Sequence, residues 1–469
     1  MSEGSNVTGT DEAYSHTNPE TNPDAGDAAR SAAEGTPAHR PEEGVEDLCA
    51  RLIRFDTTNR GPGDSVGERE AAEYVAGVLT DAGLSPTLLE SAPRRANVVV
   101  RIPGTDPAAE AVLVHAHLDV VPADPSEWSV HPFSGEIRDG LVWGRGAVDM
   151  KDMCAMVLAV LRSWSAAGLR PRRDIVVAFV ADEEAHGDYG ASWLVDEHPE
   201  LFSGCAIGIS ESGGHSFDVD GVRLYPVAAA ERGTIHLRLT ARGRAGHGSR
   251  PNPDNAVVRL AHALARIAAY EWPVRLTPTV QAFLERTGAA LGVEVDLTDV
   301  DATIDRLGKA GALATATVRA TATPTMLDAG YKINVIPGTA HANIDGRALP
   351  GTEQEFLDTI DKLLGPHVER ETLDYTEAVS APIDSPWFEA MAAALRTQDP
   401  DAVVVPYCMG GGTDAKSFAR LGIAGYGFSP LRLPPDFPLR GLAHGVDERV
   451  PVDGLRFGAR VLDHFLRTV

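Results

Sequence analysis

Histidines and carboxylates recur in this chain where strand-like runs end or glycine-rich turns begin. In chain order they are His117 in VHAHLDVV, Asp149 in GRGAVDMK, Glu184 in VADEEAHG, Glu211 in ISESGG and His444 in LAHGVDERV. Imidazole and carboxylate groups are ligands that Zn²⁺ accepts, and a carboxylate between two ions can bridge them. An α/β sheet presents side chains to a cleft at such positions. The pattern therefore predicts a metal site with the capacity for two ions.

Glu183 stands directly before Glu184 at the end of the apolar run DIVVAFVA. Two adjacent carboxylates on a loop cannot easily point at the same ion, so one of them is free to move protons. A solvated acidic loop is the alternative, but the strand that leads into the pair favours a site. His117 and Asp119 share one face of a strand, so Asp119 is expected to orient the His117 ring through its second nitrogen. For Asp149, an ordinary helix N-cap is the alternative.

Composition sets the class of protein. A chain of 469 residues exceeds what one hydrophobic core usually serves, so two domains are expected. The formal net charge of −25 argues against nucleic-acid and anionic-membrane partners. No apolar run is long enough to span a membrane and the N-terminal residues lack a signal-peptide pattern, so a cytoplasmic location is predicted. The scattered cysteines are expected to be free thiols; they are Cys49, Cys154, Cys205 and Cys408.

Hydrophobic periodicity predicts an α/β fold. Residues 1–42 show no such period and are predicted to form a disordered acidic tail. After two amphipathic helices, the short apolar runs NVVVRI, AVLVHAHL, DIVVAFVA and CAIGIS alternate with turns or a long helix. Such strands indicate a mixed, largely parallel sheet covered by helices on both faces. Residues 43–229 and 381–469 are predicted to form this catalytic domain.

A smaller α+β unit is predicted between these two parts, over residues 230–380. GTIHLRLTA and HANIDGRAL alternate apolar and polar residues like half-exposed antiparallel strands, and amphipathic helices lie between or after them. The stretch from 275 to 322 is long for a loop, which suggests a helical elaboration.

Taken together, the motifs resemble those of the co-catalytic zinc amidohydrolases, which include aminoacylase, acetylornithine deacetylase, succinyl-diaminopimelate desuccinylase, glutamate carboxypeptidase and carboxypeptidase S. The likeness covers residues 45–469 and rests on HLDVVP, DEE, ESGG, GRAGHGSRP, NVIPG, IDGR, GGGTDA and HGVDE in this order. The resemblance implies a zinc-exopeptidase type of catalytic domain, and it implies that the smaller unit is a lid or dimerisation domain. It also implies two Zn²⁺ ions per subunit, with Co²⁺ or Mn²⁺ as substitutes.

The same resemblance assigns roles to the metal-liking residues. One zinc would be held by His117, Asp149 and Glu211, and the other by Asp149, Glu184 and His444, with Asp149 as the bridge. Glu183 would be the general base. Each ion would then keep an open coordination position, as catalytic sites do.

For the smaller unit, the resemblance implies that His247 stabilises the oxyanion, often from the partner subunit, so a homodimer is expected. Asn334 and Arg347, with backbone N–H groups of Gly411 and Gly412, would hold a substrate carboxylate. On sequence alone, a loop histidine and a surface arginine remain the alternatives.

The implied activity is hydrolysis of an amide bond next to a free carboxylate, in a small N-acyl amino acid or a short peptide. A deacylase and a dipeptidase or carboxypeptidase both fit. Two alternatives stay open: an aminopeptidase that uses the same site, and a non-catalytic metal-dependent binding protein. The binding protein is disfavoured because it has no need of an unliganded Glu183.

Overall fold

The computed structural model describes residues 39–469 with the exception of Pro62. The predicted tail therefore lies outside the described residues up to position 38. Its last residues belong to the folded unit, because His39 Nε2 lies 2.9 Å from Asp463 Oδ1.

Strands and helices alternate through the first half of the chain, as the sequence predicts. The strands are β1 Thr87–Ala92, β2 Arg95–Ile102, β3 Ala111–His117, β4 Glu136–Arg138, β5 Leu141–Trp143, β6 Ile175–Val180, β7 Cys205–Ser210, β8 Phe217–Val219, β9 Val222–Glu231, β10 Gly233–Arg242, β11 Gly246–His247, β12 Thr321–Ala329, β13 Val335–Ile336, β14 Thr339–Ala348, β15 Val368–Thr376, β16 Val379–Ser380, β17 Val403–Met409, β18 Ala424–Gly427 and β19 Arg449–Pro451. The helices are α1 Val45–Ile53, α2 Arg69–Asp81, α3 Lys151–Ala167, α4 Ala191–Glu197, α5 Ala256–Ala269, α6 Pro278–Leu291, α7 Val300–Arg306, α8 Gly308–Gly311, α9 Glu353–Leu364, α10 Pro386–Gln398, α11 Ala415–Ala419, α12 Leu439–Leu442 and α13 Val452–Thr468.

Within the described residues, the larger sheet has ten strands in the order β1-β2-β6-β3-β7-β18-β9-β16, with β8 and β17 also paired to β9. Its centre is parallel, because β3 runs parallel to β6 and β7, and β18 runs parallel to β7. Antiparallel pairs flank this centre. The mixed α/β sheet that the sequence predicts is confirmed.

Burial on both faces explains the continuous apolar strands at the centre. Every residue of β3 and β6 is buried. Helices α1, α3 and α13 pack against one face, and α4 and α11 contribute to the core on the other. Helix α3 ends at Gly168, whose φ of 63° is the left-handed conformation that terminates helices.

The smaller sheet has the order β12-β14-β10-β15 and is antiparallel. Helices α5 and α9 cover one face, and the strands alternate buried and more exposed residues as the sequence predicts. Strand β10 begins at Gly233 and β15 ends at Thr376. These bounds support 230–380 as a domain, which stays a prediction.

The stretch predicted as an elaboration forms helices α6 to α8, and these pack against the larger sheet. Phe283, Leu284, Leu307 and Leu313 share a core with Val405 of β17. This segment lies between β11 and β12 in sequence, yet it forms a wall of the other lobe. No described helix has both the length and the apolar character needed to cross a bilayer.

Candidate metal centre and substrate cleft

The parallel strands at the centre of the larger sheet bring the predicted metal ligands to one edge. His117 is the last residue of β3, Glu183 and Glu184 follow β6, and Glu211 follows β7. Because these strands are parallel neighbours, their carboxyl ends meet. Sequence order alone does not make them neighbours; the strand order does.

His117 and His444 lie on either side of Asp149. The Nε2 atom of His117 is 3.1 Å from Asp149 Oδ1 and 3.7 Å from Glu211 Oε1. The Nε2 atom of His444 is 3.2 Å from Asp149 Oδ2 and 3.1 Å from Glu184 Oε2. Two ligands of one tetrahedral ion, each bonded at about 2 Å, lie about 3.3 Å apart. Asp149 thus contacts both histidines with different oxygens, the arrangement that a bridging carboxylate requires.

The electrostatics of this cluster favour the binding of cations. Burial, followed by the charge of Glu211, raises the pKa of Glu183 well above its ordinary value, and burial with the charge of Asp149 does the same for the pKa of Glu211. Hydrogen bonds to Asp149 and Glu184 raise the pKa of His444 to about 10. Without metal ions, the cluster therefore keeps bound protons, whose positive charge offsets the negative charge of the carboxylates.

One oxygen atom of a predicted ligand is also left without a partner. Oε1 of Glu184 is buried and accepts no hydrogen bond from the described residues. A buried carboxylate oxygen without a donor is costly unless a cation contacts it. His117 clusters with Asp149 and Glu184 and also with Glu183 and Glu211, while His444 contacts Asp149 and Glu184. This donor set of imidazoles and carboxylates fits a pair of divalent ions.

Asp119 acts differently from its sequence-based prediction. His117 Nδ1 lies 2.9 Å from the backbone carbonyl oxygen of Asp119, whereas the nearer carboxylate oxygen is 3.6 Å away. The carboxylate instead accepts the backbone N–H groups of Glu183 at 3.1 Å and Glu184 at 3.2 Å. Asp119 therefore connects the His117 strand to the loop that carries both glutamates.

Several residues that support the site have no signal in the sequence. The Asn59 amide donates to Asp119 Oδ2 and to Asp182 Oδ1, both at 2.9 Å. Asp182, at φ 70°, also accepts from Arg95 at 2.6 Å and thereby holds the turn that leads into Glu183. Asn59 is distant in sequence and lies in no motif, so only the fold identifies it.

The HGVDE motif provides a second anchor. Glu448 is fully buried and accepts the backbone N–H groups of Gly146 and Val148, at 3.0 and 2.8 Å. It also pairs with Arg145 at 2.6 Å. This carboxylate shapes the turn before Asp149, so one motif contains both His444 and the group that positions the predicted bridging ligand.

A polar cleft of about 550 Å³ adjoins the centre at Glu183 and Glu184. Arg347 of β14 and Gly412 line it, so these two predicted carboxylate-binding residues are brought to the site. The Arg347 guanidinium donates to Asp345 and Thr234, both at 2.8 Å. Gly411 lies next to Gly412 in the GGGTDA loop. Glu231 of the larger sheet holds this loop, because its carboxylate accepts hydrogen bonds from Thr413 N at 2.9 Å and from Thr413 Oγ1 at 2.7 Å.

His247 and Asn334 lie together but do not line that cleft among the described residues. His247 pairs with Val335 in a short two-stranded ladder, and Gly248 N donates to Asn334 O at 2.9 Å. Both side chains are exposed. Within one subunit, the structure does not bring these two residues to the metal centre.

The remaining histidines near the site have separate surroundings. His115 is buried, contacts the ring of Phe418 at 4.8 Å, and has its pKa lowered to about 3 by burial and by His117. It is a neutral core residue. His186 lines the polar cleft, where its Nδ1 is 3.8 Å from Asp374 of the smaller sheet. The four cysteines are all free thiols, as predicted.

Comparison with known proteins identifies the family. Residues 113–468 match the profile of peptidase family M20/M25/M40. The N-fatty-acyl-amino acid synthase/hydrolase PM20D1 of Mus musculus is 26% identical over 415 residues, which cover 81% of this chain and 80% of that protein. Aminoacylase-1 of Sus scrofa is 28% identical over 376 residues, which cover 78% of this chain and 82% of that protein.

The fold is also found in a solved structure. The M20 family metallo-carboxypeptidase Sso-CP2 of Sulfolobus solfataricus superposes with a TM-score of 0.68 at 18% identity, covering 91% of this chain and 98% of that one. With the clustered histidines and carboxylates at the sheet edge, these matches show that the chain belongs to peptidase family M20/M25/M40 and is a hydrolase of amide bonds.

Proposed function

We propose that this hydrolase uses two divalent ions, Zn²⁺ in the first instance, to remove the acyl group from N-acyl amino acids. The observation that carries the proposal is the presence of Arg347 in the same polar cleft that Glu183 and Glu184 line. A guanidinium at this place offers a planar fork to a substrate carboxylate beside the reacting amide. Relatives named aminoacylase-1 and N-fatty-acyl-amino acid synthase/hydrolase support the acyl side of the substrate.

The ions would be held by His117, Asp149 and Glu211 on one side and by Asp149, Glu184 and His444 on the other. When bound, they supply a more acidic water and positive charge opposite a developing oxyanion. Co²⁺ and Mn²⁺ have compatible ligand preferences and are proposed as substitutes.

Glu183 would move the proton. Its carboxylate oxygen lies 4.0 Å from His117 Nε2, and its backbone N–H is fixed by Asp119. From this position Glu183 would accept a proton from the attacking water and pass it to the amide nitrogen, which leaves as an amine. Arg347 and the N–H groups of Gly411 and Gly412 would hold the carboxylate of the amino-acid product.

His247 and Asn334 would complete the site from a second copy of the chain. Strand β12 lies at the edge of the smaller sheet, and apolar side chains in and after it are exposed, including Met326 at 65%, Leu327 at 68% and Tyr331 at 84%. An exposed apolar strand edge is a natural surface for pairing with another chain. The proposal therefore includes a homodimer, in which His247 would stabilise the oxyanion.

A carboxypeptidase or dipeptidase is the second candidate, because a peptide with a free C-terminus presents the same carboxylate to Arg347. The free state of all four cysteines supports a cytoplasmic location as part of the proposal.

The test is hydrolysis by the zinc-loaded full chain of three matched substrates: N-acetyl-L-methionine, L-alanyl-L-methionine and the amide of L-methionine, which has no free carboxylate. We expect turnover of the acetyl compound, weaker or no turnover of the amide, and loss of activity after chelation that zinc restores. Turnover of the dipeptide and the amide, which both have a free amine, without turnover of the acetyl compound would indicate an aminopeptidase. Binding of all three without turnover would indicate a binding protein.

A further inference from the structure

A second cavity, which is lined by a different set of residues, adjoins the metal centre. It has a volume of about 410 Å³ and touches the centre at Asp149 and Glu211, whereas the polar cleft touches it at Glu183 and Glu184. A substrate whose reacting bond lies at the ions can therefore extend in two directions. One direction is polar and contains Arg347, and the other is the cavity next to Asp149.

The walls of this cavity are mainly apolar. Leu313 and Ala316 follow helix α8, Met409 ends β17, and Leu431 and Leu439 come from the last part of the chain. The turn that carries Leu313 is anchored firmly, since Leu313 is buried in the core that helices α6 to α8 form with the larger sheet. The helical elaboration thus supplies one wall of the cavity.

The carboxylates that line the cavity include the predicted ligands Asp149 and Glu211. The other acidic residue that lines it in the described chain, Asp152, is only 2% exposed. The His215 imidazole and several hydroxyl groups also line the cavity, whereas its Leu, Met and Ala side chains suit a hydrocarbon chain.

We propose that this cavity binds the acyl chain of the substrate, that it favours medium-length aliphatic chains over acetyl, and that the turn after helix α8 limits their length. This inference rests on the proposed function for the position of the reacting bond. A water molecule takes about 30 Å³ in the liquid and a methylene group is of similar size, so the cavity of about 410 Å³ accommodates a chain of at most about fourteen carbons.

The experiment measures chain-length dependence in the zinc-loaded full chain, using N-acetyl-, N-hexanoyl-, N-decanoyl- and N-hexadecanoyl-L-methionine. Each methylene that leaves water is expected to raise kcat/KM about two- to fourfold, with a plateau or decline beyond about fourteen carbons. Ala316→Phe places a ring in the cavity and is expected to lower the decanoyl-to-acetyl ratio of kcat/KM by about tenfold or more. Thr315→Phe is the matched control, because Thr315 is exposed beside Ala316 and does not line the cavity.

Binding provides a second readout that does not need turnover. In the zinc-loaded Glu183→Gln variant, calorimetry is expected to give tighter binding of decanoyl- than of acetyl-methionine, and adding Ala316→Phe is expected to reduce that difference. Thermal unfolding checks that each variant is folded.

The outcomes separate the two proposals. Turnover of acetyl-methionine with a flat chain-length profile, or equal effects of Ala316→Phe and Thr315→Phe, overturns the acyl cavity and leaves the deacylase intact. No turnover of any acyl compound refutes the deacylase. In that case the binding measurements decide about the cavity. Binding that depends on chain length and loses this dependence in Ala316→Phe supports the acyl cavity, whereas binding that is independent of chain length overturns the acyl cavity as well.

Discussion

Replacing Asp119 by asparagine isolates the contribution of one buried carboxylate to the metal centre. Its side chain is fully buried and accepts three hydrogen bonds, from Glu183 N, Glu184 N and the Asn59 amide. Asparagine has the same shape but only one accepting oxygen. If its NH₂ group replaces Oδ1, it faces the N–H of Glu183; if it replaces Oδ2, it faces two donors.

The less costly orientation therefore loses one charge-assisted hydrogen bond and leaves the N–H of Glu183 without its acceptor. Hydrogen bonds to charged groups contribute about 1.5–3 kcal/mol each. Removal of a negative charge from a cluster of carboxylates offsets part of this loss in the metal-free protein but not in the metal-loaded protein, where the ions already neutralise the cluster. We expect Asp119→Asn to weaken zinc binding about 10- to 100-fold, the range typical of residues that orient metal ligands.

The assay is competition for zinc against a chromophoric chelator, with kcat/KM measured at saturating zinc. Asp124→Asn is the control, because Asp124 lies on the same connection, is exposed, and accepts from Ser126 N. Zinc affinity of Asp119→Asn within about twofold of the control would refute the role assigned to this carboxylate.

Three further predictions concern the proton, the ions and the substrate. Glu183→Gln should bind zinc as tightly as the wild type, yet lose about 10²- to 10⁴-fold in kcat, measured with N-acetyl-L-methionine. In the metal-free protein the pKa of His444 is raised to about 10, so the imidazole is protonated at pH 7 and must lose a proton to bind an ion. As the pH is raised towards that value, zinc affinity should therefore increase about tenfold or more per pH unit. Calorimetry in buffers of different ionisation enthalpy should detect proton release on zinc binding at pH 7. Arg347→Lys should raise KM about tenfold or more without changing zinc content, whereas Arg238→Lys, at an exposed position of β10, should change neither, as steady-state kinetics and metal analysis will show.

Much of this site could be predicted from the sequence because its signals are local. His117 ends a strand of buried, mainly apolar residues, and Glu183 and Glu211 follow two more such strands. Continuous apolar runs of this kind specify strands that are covered on both faces. The ends of parallel strands are where an α/β sheet binds ligands. Residue type and position along the chain were thus enough to predict the mixed sheet, and the order of the motifs identified the family by resemblance. The ligand set stays a prediction, although the structure brings its members together.

Other features depend on which distant segments meet. The partner of His117 Nδ1 is the backbone carbonyl of Asp119, since the carboxylate is occupied by the loop after β6. Asn59 carries no motif, yet it bridges Asp119 and Asp182 because the chain after α1 runs beside the ends of β3 and β6.

The sequence by itself determined the helices and strands and the types of side chain at their ends, because both depend on residues that are neighbours in the chain. Only the tertiary structure decided that helices α6 to α8 pack on the larger sheet and thereby form an apolar wall beside Asp149. An apolar helix face is encoded by spacing alone, but any complementary apolar surface can bury it. Which surface it covers is settled by the packing of the whole chain, and here that choice creates the cavity.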